Sequence, residues 1–265
     1  MRAKYDIIGK EYNTTRCADV FIANRLFDLI APHRNGIYLD IGCGTGNYTN
    51  ALYKKGLDFI GIDPSYEMLR KAQKLNSEID WRQGHVENTG LDLESVCGIV
   101  ASLTIHHWVE LNTAFTELYR ILKPDGKIVI FTASPEQMKS YWLNAYFPKM
   151  LEDSIKQMPS MESVFKAMEN SGFSDIKKTS YEVTNELKDL FLYSGKHQPS
   201  LYLKPEVRNG ISSFSSLANQ KEVAEGLSRL QEDINTDKIK EVMNSYTSDL
   251  GDYLFISALK KSNNS

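Results

Sequence analysis

The chain has 265 residues, 42% of them hydrophobic and 25% charged, with a formal net charge of −3. That length and balance suit one soluble α/β domain, or one domain carrying insertions. The charge leaves no basic excess to neutralise phosphates, which argues against nucleic acid as a partner.

No apolar run approaches a membrane span, and the opening MRAKYDIIGKEY lacks the apolar core of a signal peptide. Cys17, Cys43 and Cys97 are scattered and form no CxxC pair. They read as reduced thiols of a cytoplasmic protein, with no metal site and no disulfide frame expected.

In chain order, residues 5–16 (YDIIGKEYNTTR) lead into a helical pattern over about 19–30, which Pro32 stops. The apolar start of 37–41 predicts a first strand and 48–56 a helix. Residues 58–62 (DFIGI) predict a second strand, turned by Asp63-Pro64-Ser65 into a helix over 66–75. A third strand is expected at 79–83 and a fourth at 98–103 (GIVASL). A helix at about 112–122, a turn at Lys123-Pro124-Asp125-Gly126 and a fifth strand at 127–132 follow. Strands alternating with helical patterns indicate βαβ units and a parallel sheet.

Beyond 132 the alternation lapses. Residues 135–170 read as helices rich in aromatics and methionine, 176–184 as a strand, 185–249 as polar helices and 253–260 as the last strand. The expected organisation is a single domain, 1–265, with helical insertions at about 135–170 and 185–249 covering a substrate.

The segment that organises the rest is 38–47, YLDIGCGTGN: an apolar run, an acid, and three glycines at alternate positions before a helix. A strand, a glycine turn and a helix N-terminus form a nucleotide-type cradle, because a missing Cβ permits close backbone approach and exposed N–H groups favour negative charge. The dinucleotide fingerprint needs glycine or alanine where Asn47 stands, and the Gly-Lys-Ser/Thr ending of a phosphate loop is absent.

The pattern D-I-G-C-G-T-G resembles the first motif of class I S-adenosylmethionine-dependent methyltransferases, of the small-molecule, type 11/25-like kind. Further residues carry the resemblance. Asp63 follows the second strand, 23 residues after Asp40. An acid there accepts hydrogen bonds from ribose hydroxyls, or caps the next helix, or both. Leu122 to Gly126, LKPDG, resembles the family's L-K-P-G-G turn with Asp125 in place of the first glycine, and Gly172-Phe173 its turn into the penultimate strand.

The resemblance implies a doubly wound, mostly parallel seven-stranded sheet of Rossmann-like type with the last strand antiparallel. It also implies S-adenosylmethionine as cofactor. On that reading Gly42, Cys43, Gly44 and Gly46 hold the methionine and ribose, Asp40 lies near the ammonium, Asp63 with Pro64 holds the ribose, and Ser102 lies under the methyl donor. The loop after strand three carries His85 where the family often has an acid facing adenine. Either the His85 imidazole accepts from the adenine amino group, or His85 faces solvent and the Val86 N–H pairs with the ring.

Tyr12, Asn13 and Arg16 resemble N-terminal segments that lie over the cofactor in small-molecule methyltransferases; otherwise they are surface residues of a leading helix. Residues 102–108, SLTIHHW, follow strand four, where open parallel sheets bind ligands. His106 or His107 is a candidate general base, the alternative being a structural histidine. A metal role is weaker, since adjacent histidines are expected to point apart and no third ligand is spaced to join them.

Tyr141, Trp142, Tyr146 and Phe147 form a dense aromatic group at helical spacing, either core or the wall of an apolar substrate pocket. Tyr141, Trp142, Tyr146 and His106 are the expected pocket residues. The Asn/Asp-Pro-Pro-Tyr/Phe motif of base-amino methyltransferases and the Pro-Cys nucleophile of cytosine-C5 enzymes are absent. The expected activity is in-line methyl transfer to a small molecule. A non-catalytic S-adenosylmethionine-binding protein is the alternative, and a dinucleotide or nucleotide-sugar enzyme is disfavoured by Asn47.

Overall fold

The computed structural model describes residues 15–32 and 35–262. Seven strands, β1 (Ile37–Ile41), β2 (Asp58–Asp63), β3 (Asp80–Gln83), β4 (Val96–Ser102), β5 (Leu122–Thr132), β6 (Ser174–Tyr181) and β7 (Tyr253–Leu259), form one sheet. Their order is β3-β2-β1-β4-β5-β7-β6. Pairing is parallel from β3 to β5, while β7 is antiparallel to both its neighbours. The expected doubly wound sheet is therefore present. Its strand order reverses between β1 and β4, and the crevice outside their carboxyl ends is where such sheets take ligands.

Successive side chains point to opposite faces, and both faces are buried. Leu39, Ile99 and Ile128 join one core, while Tyr38, Val100 and Val129 join the other. Helices α1 (Val20–Ile30) and α2 (Asn47–Tyr53) cover the second of these faces. Asp19 caps α1 by accepting from the Ile22 N–H at 3.1 Å. Helix α3 (Tyr66–Leu75) begins at Ser65, whose hydroxyl accepts from the Met68 N–H. Helix α4 (Leu111–Ile121) packs its apolar stripe of Ala114, Phe115, Leu118 and Ile121 on the first face.

Between β5 and β6 lie α5 (Pro135–Lys139), α6 (Pro148–Gln157) and α7 (Met161–Asn170). Between β6 and β7 lie α8 (Pro205–Asn209), α9 (Ser212–Ser216), α10 (Gln220–Asn235) and α11 (Ile239–Ser245). The first insertion divides. Helix α7 packs Val164, Ala167 and Met168 beside α4 on the far face of the sheet, so only the stretch before it lies towards the crevice. Among the described residues no helix is long and apolar enough to cross a membrane.

Two boundaries differ from the sequence reading. Residues 123–126 are looped out within β5, between the Val96–Leu122 and Gly98–Lys127 pairings. Asp125 takes φ +63°, a left-handed conformation that aspartate tolerates better than most residues. Strand β6 stops at Tyr181 rather than continuing to 184, because the Asp252 carboxylate captures the Val183 N–H at 2.7 Å in place of a ladder partner.

Candidate functional site

The crevice at the carboxyl ends of β1, β2, β4 and β5 opens into one cavity, an atom-free space of about 1330 Å³ that is partly open to solvent. At its floor the chain leaves β1 through Gly42 (φ +70°) and Gly44 (φ +53°), backbone that only glycine adopts readily. A Cβ on Gly42 would strike the Thr104 hydroxyl at 2.0 Å, whereas one on Gly44 would meet nothing within 4 Å and would project into open space. Gly46 serves packing: a Cβ there would collide with the Trp81 ring at 2.4 Å.

Asp63 ties this turn to β2. Its Oδ2 accepts from the Gly44 N–H at 2.9 Å and its Oδ1 from the Ser65 N–H at 2.8 Å. Asp63 thus shapes the turn, caps the approach to α3 and lines the cavity at once.

Asp40 is 2% exposed, and its Oδ2 accepts from the Thr49 hydroxyl at 2.6 Å. Its Oδ1 has no hydrogen-bond partner among the described residues. Burial pushes the Asp40 carboxyl up to about 7; the Thr49 bond works against that shift and the charge of Asp63 adds to it. The Ser102 hydroxyl, also on the cavity wall, is a second buried polar group without a partner among the described residues. An orphaned buried polar atom is costly, a cost that a ligand bonding to it would relieve.

Above the turn, Arg16 forms a two-pronged pair with Asp189, which is 1% exposed. Arg16 Nε donates to Oδ1 at 2.5 Å and its NH2 to Oδ2 at 3.2 Å, while the Tyr48 hydroxyl donates to Oδ2 at 3.1 Å. All three residues line the cavity. Beyond β4, the turn Ile105–His107 brings His106 and His107 to the wall with ring centroids 3.9 Å apart. The two rings therefore pack together and do not point apart as expected. Among the described residues no three His, Cys, Asp or Glu side chains come together to hold a metal.

Residues 39–130 match the methyltransferase-domain family. Over 93% of its length the chain is 35% identical, with a TM-score of 0.83, to the solved structure of a protein from an antibiotic biosynthesis pathway of Anabaena variabilis, named as a methyltransferase, and it covers 99% of that chain. The chain belongs to the class I S-adenosylmethionine-dependent methyltransferases.

The bovine mitochondrial ubiquinone biosynthesis O-methyltransferase is 30% identical to this methyltransferase over an alignment of 175 residues. The match spans 58% of the chain but only 47%, about half, of that relative's length. A phosphoethanolamine N-methyltransferase of Haemonchus contortus, solved with S-adenosylmethionine, shares the fold at a TM-score of 0.60 and 16% identity, covering 95% of this chain and 55% of that one.

S-adenosylmethionine is the cofactor, and the residues present fit it. The orphaned Asp40 oxygen suits an ammonium donor, the Asp63 carboxylate suits ribose hydroxyls, and the open space over Gly44 suits close backbone approach.

The structure brings Arg16, Asp40, Gly42, Cys43, Gly44 and Asp63 to one end of the cavity. Ser102, His106 and His107 lie along its wall and Tyr141 lies beyond them. Gly46, Pro64, His85 and Val86 do not line it. His85 is exposed, and the Val86 side chain is buried in the core on the other face of the sheet. Tyr12 lies outside the described residues.

Trp142 and Tyr146 correct the pocket reading. Both are buried away from the cavity, with the Trp142 indole N–H donating to the Lys196 carbonyl at 3.0 Å and the Tyr146 hydroxyl to Asp233 at 2.7 Å. They form the core that joins the two insertions, packed with Tyr202 and Phe147. Met68, Gln157, Met158, Asp189 and Ile211 line the cavity without having been singled out, and Thr104 lines it from within the 102–108 segment that was.

Proposed function

We propose that this methyltransferase transfers a methyl group to a small-molecule acceptor held between the strand edge and the helical insertions. The observation that carries this reading is the continuity of the cavity. It runs without interruption from Asp40, Asp63 and Ser102 to Tyr141, Met158 and Ile211, the last three supplied by the insertions and their borders. A concave site with apolar walls and a few polar groups suits a small ligand better than a macromolecular surface does. The names of the bovine relative and the Anabaena protein, from ubiquinone and antibiotic biosynthesis, point the same way.

The cofactor supplies a methyl group on a sulfonium, already a good electrophile. Asp63 would accept from the ribose hydroxyls, Asp40 would hold the ammonium, and Arg16, its fork held by Asp189, would lie at the methionine end. The Ser102 hydroxyl stands at the boundary between the cofactor and acceptor halves. His106 would receive a proton from the acceptor; it lies on the cavity wall with the more exposed His107 beside it. Residues 135–157 and 185–249 act as a cover over the acceptor, aligning its nucleophile with the methyl group and shutting out water.

Incubating the protein with methyl-labelled S-adenosylmethionine and fractionated cell extract tests this reading. Label is expected in the small-molecule fraction. Label confined to protein or nucleic acid rejects it.

A further inference from the structure

Given the small-molecule reading above, we infer that the acceptor is an uncharged, mainly apolar molecule whose far end is held by neutral hydrogen-bonding groups. Past Ser102 and His106 the cavity is walled by Met138, Tyr141, Met158, Phe191, Ile211 and Leu217. A carboxylate or phosphate moved against such a wall loses its hydration and gains no opposite charge, which is strongly unfavourable.

The arginine and the carboxylates that reach the cavity are already committed, and His106 and His107 stand at the reacting end, short of this wall. Arg16 is engaged in the fork with Asp189, and Tyr48 donates to the same carboxylate. Asp40 and Asp63 belong to the cofactor end, where an ammonium would answer the first and ribose hydroxyls the second.

The polar groups of the acceptor half are hydroxyls and an amide. Ser154 and Gln157 stand three residues apart on α6 and therefore share a helix face. The Ser154 hydroxyl donates to that of Ser213 at 2.8 Å, linking α6 to α9 across the cavity wall. Gln157 is half-buried on the same wall. Hydroxyl and amide groups recognise a carbonyl, ether or hydroxyl by direct hydrogen bonds, but they do not neutralise an ion. Tyr141 adds an aromatic face only, since its hydroxyl is consumed by the Asp252 carbonyl.

The test uses three ring-matched probes, 2-naphthol, 2-naphthoate and 2-naphthyl phosphate, titrated calorimetrically into the protein saturated with S-adenosylhomocysteine. The neutral 2-naphthol is expected to bind at least tenfold more tightly than either anion. Anions binding as tightly as naphthol, or no binding by any of the three, overturn the inference. Met158→Arg, which sets a guanidinium on the same wall, is expected to bring naphthoate level with naphthol or ahead of it. An unchanged ranking in that variant places binding elsewhere and overturns the inference too, and if the variant does not fold the wild-type ranking decides. An anion preference removes only the uncharged class, whereas label passing solely into macromolecules removes the small-molecule reading itself.

Discussion

Arg16 and Asp189, 173 positions apart, meet in a two-pronged ion pair at the cavity wall, and neither is free to leave it cheaply. The same two segments are joined again where the Leu190 N–H donates to the Thr15 carbonyl at 3.2 Å and the Lys188 N–H to Asp19 at 3.0 Å. The Asn47 amide, at the start of α2, donates to the Arg16 carbonyl at 3.1 Å. One buried carboxylate from the second insertion thus fastens the N-terminal segment over the glycine turn.

Removing that carboxylate isolates a buried guanidinium. Asp189→Ala is expected to destabilise the fold by about 3 kcal/mol, the lower end for breaking a buried pair from one side. It should also weaken S-adenosylhomocysteine binding, because Arg16 loses its orientation. Denaturant unfolding together with calorimetry checks both. A loss below about 1 kcal/mol, the level of an exposed pair, would show that the fork is solvated.

Asp63 carries two kinds of hydrogen bond, which substitution separates. Asp63→Ala is expected to cost about 2–3 kcal/mol of cofactor affinity through lost ribose bonds. Asp63→Asn keeps one acceptor oxygen for the backbone and should preserve the turn better than it preserves affinity. Titration of both folded variants with S-adenosylhomocysteine measures the difference, and unchanged affinity in either would remove Asp63 from the ribose site.

Asp40 makes cofactor binding depend on pH. Its carboxyl is lifted from 3.8 to about 7, mainly by burial. Between those values the folded free protein holds a proton that the unfolded chain has released, so stability falls as pH rises through the window and levels off above it. Binding an ammonium beside Asp40 favours the carboxylate, so below pH 7 binding must expel that proton. Affinity for S-adenosylmethionine is therefore expected to fall by up to about tenfold per pH unit below 7 and to be flat above it. In Asp40→Asn the slope should vanish, which calorimetry in buffers of different ionisation enthalpy checks directly through the proton count.

Which parts of this site could be read from the sequence follows from how local each placement is. Asp40, Gly42, Asp63 and Ser102 each stand at or just beyond the carboxyl end of a strand whose apolar run is visible by itself, and the alternation of strands and helices brings those ends together. Asp189 and Ile211 reach the cavity only through the way the insertions pack, and no periodicity marks them. Tyr141 and Trp142 are adjacent and chemically alike, yet one lines the cavity and the other the core. Tyr141 precedes the short helical turn Trp142–Ala145, where the chain changes direction and neighbouring side chains diverge. The binary pattern registers both simply as buried aromatics.

The placement of His106 leads to the last expectation. It is half-buried on the cavity wall just beyond β4. A base acting on an acceptor proton contributes about 10²- to 10⁴-fold, so His106→Ala should lower kcat by that range while leaving S-adenosylhomocysteine affinity unchanged. His107, exposed and tilted against its neighbour, should matter far less. A variant with full kcat would make His106 a wall residue and leave proton removal to solvent.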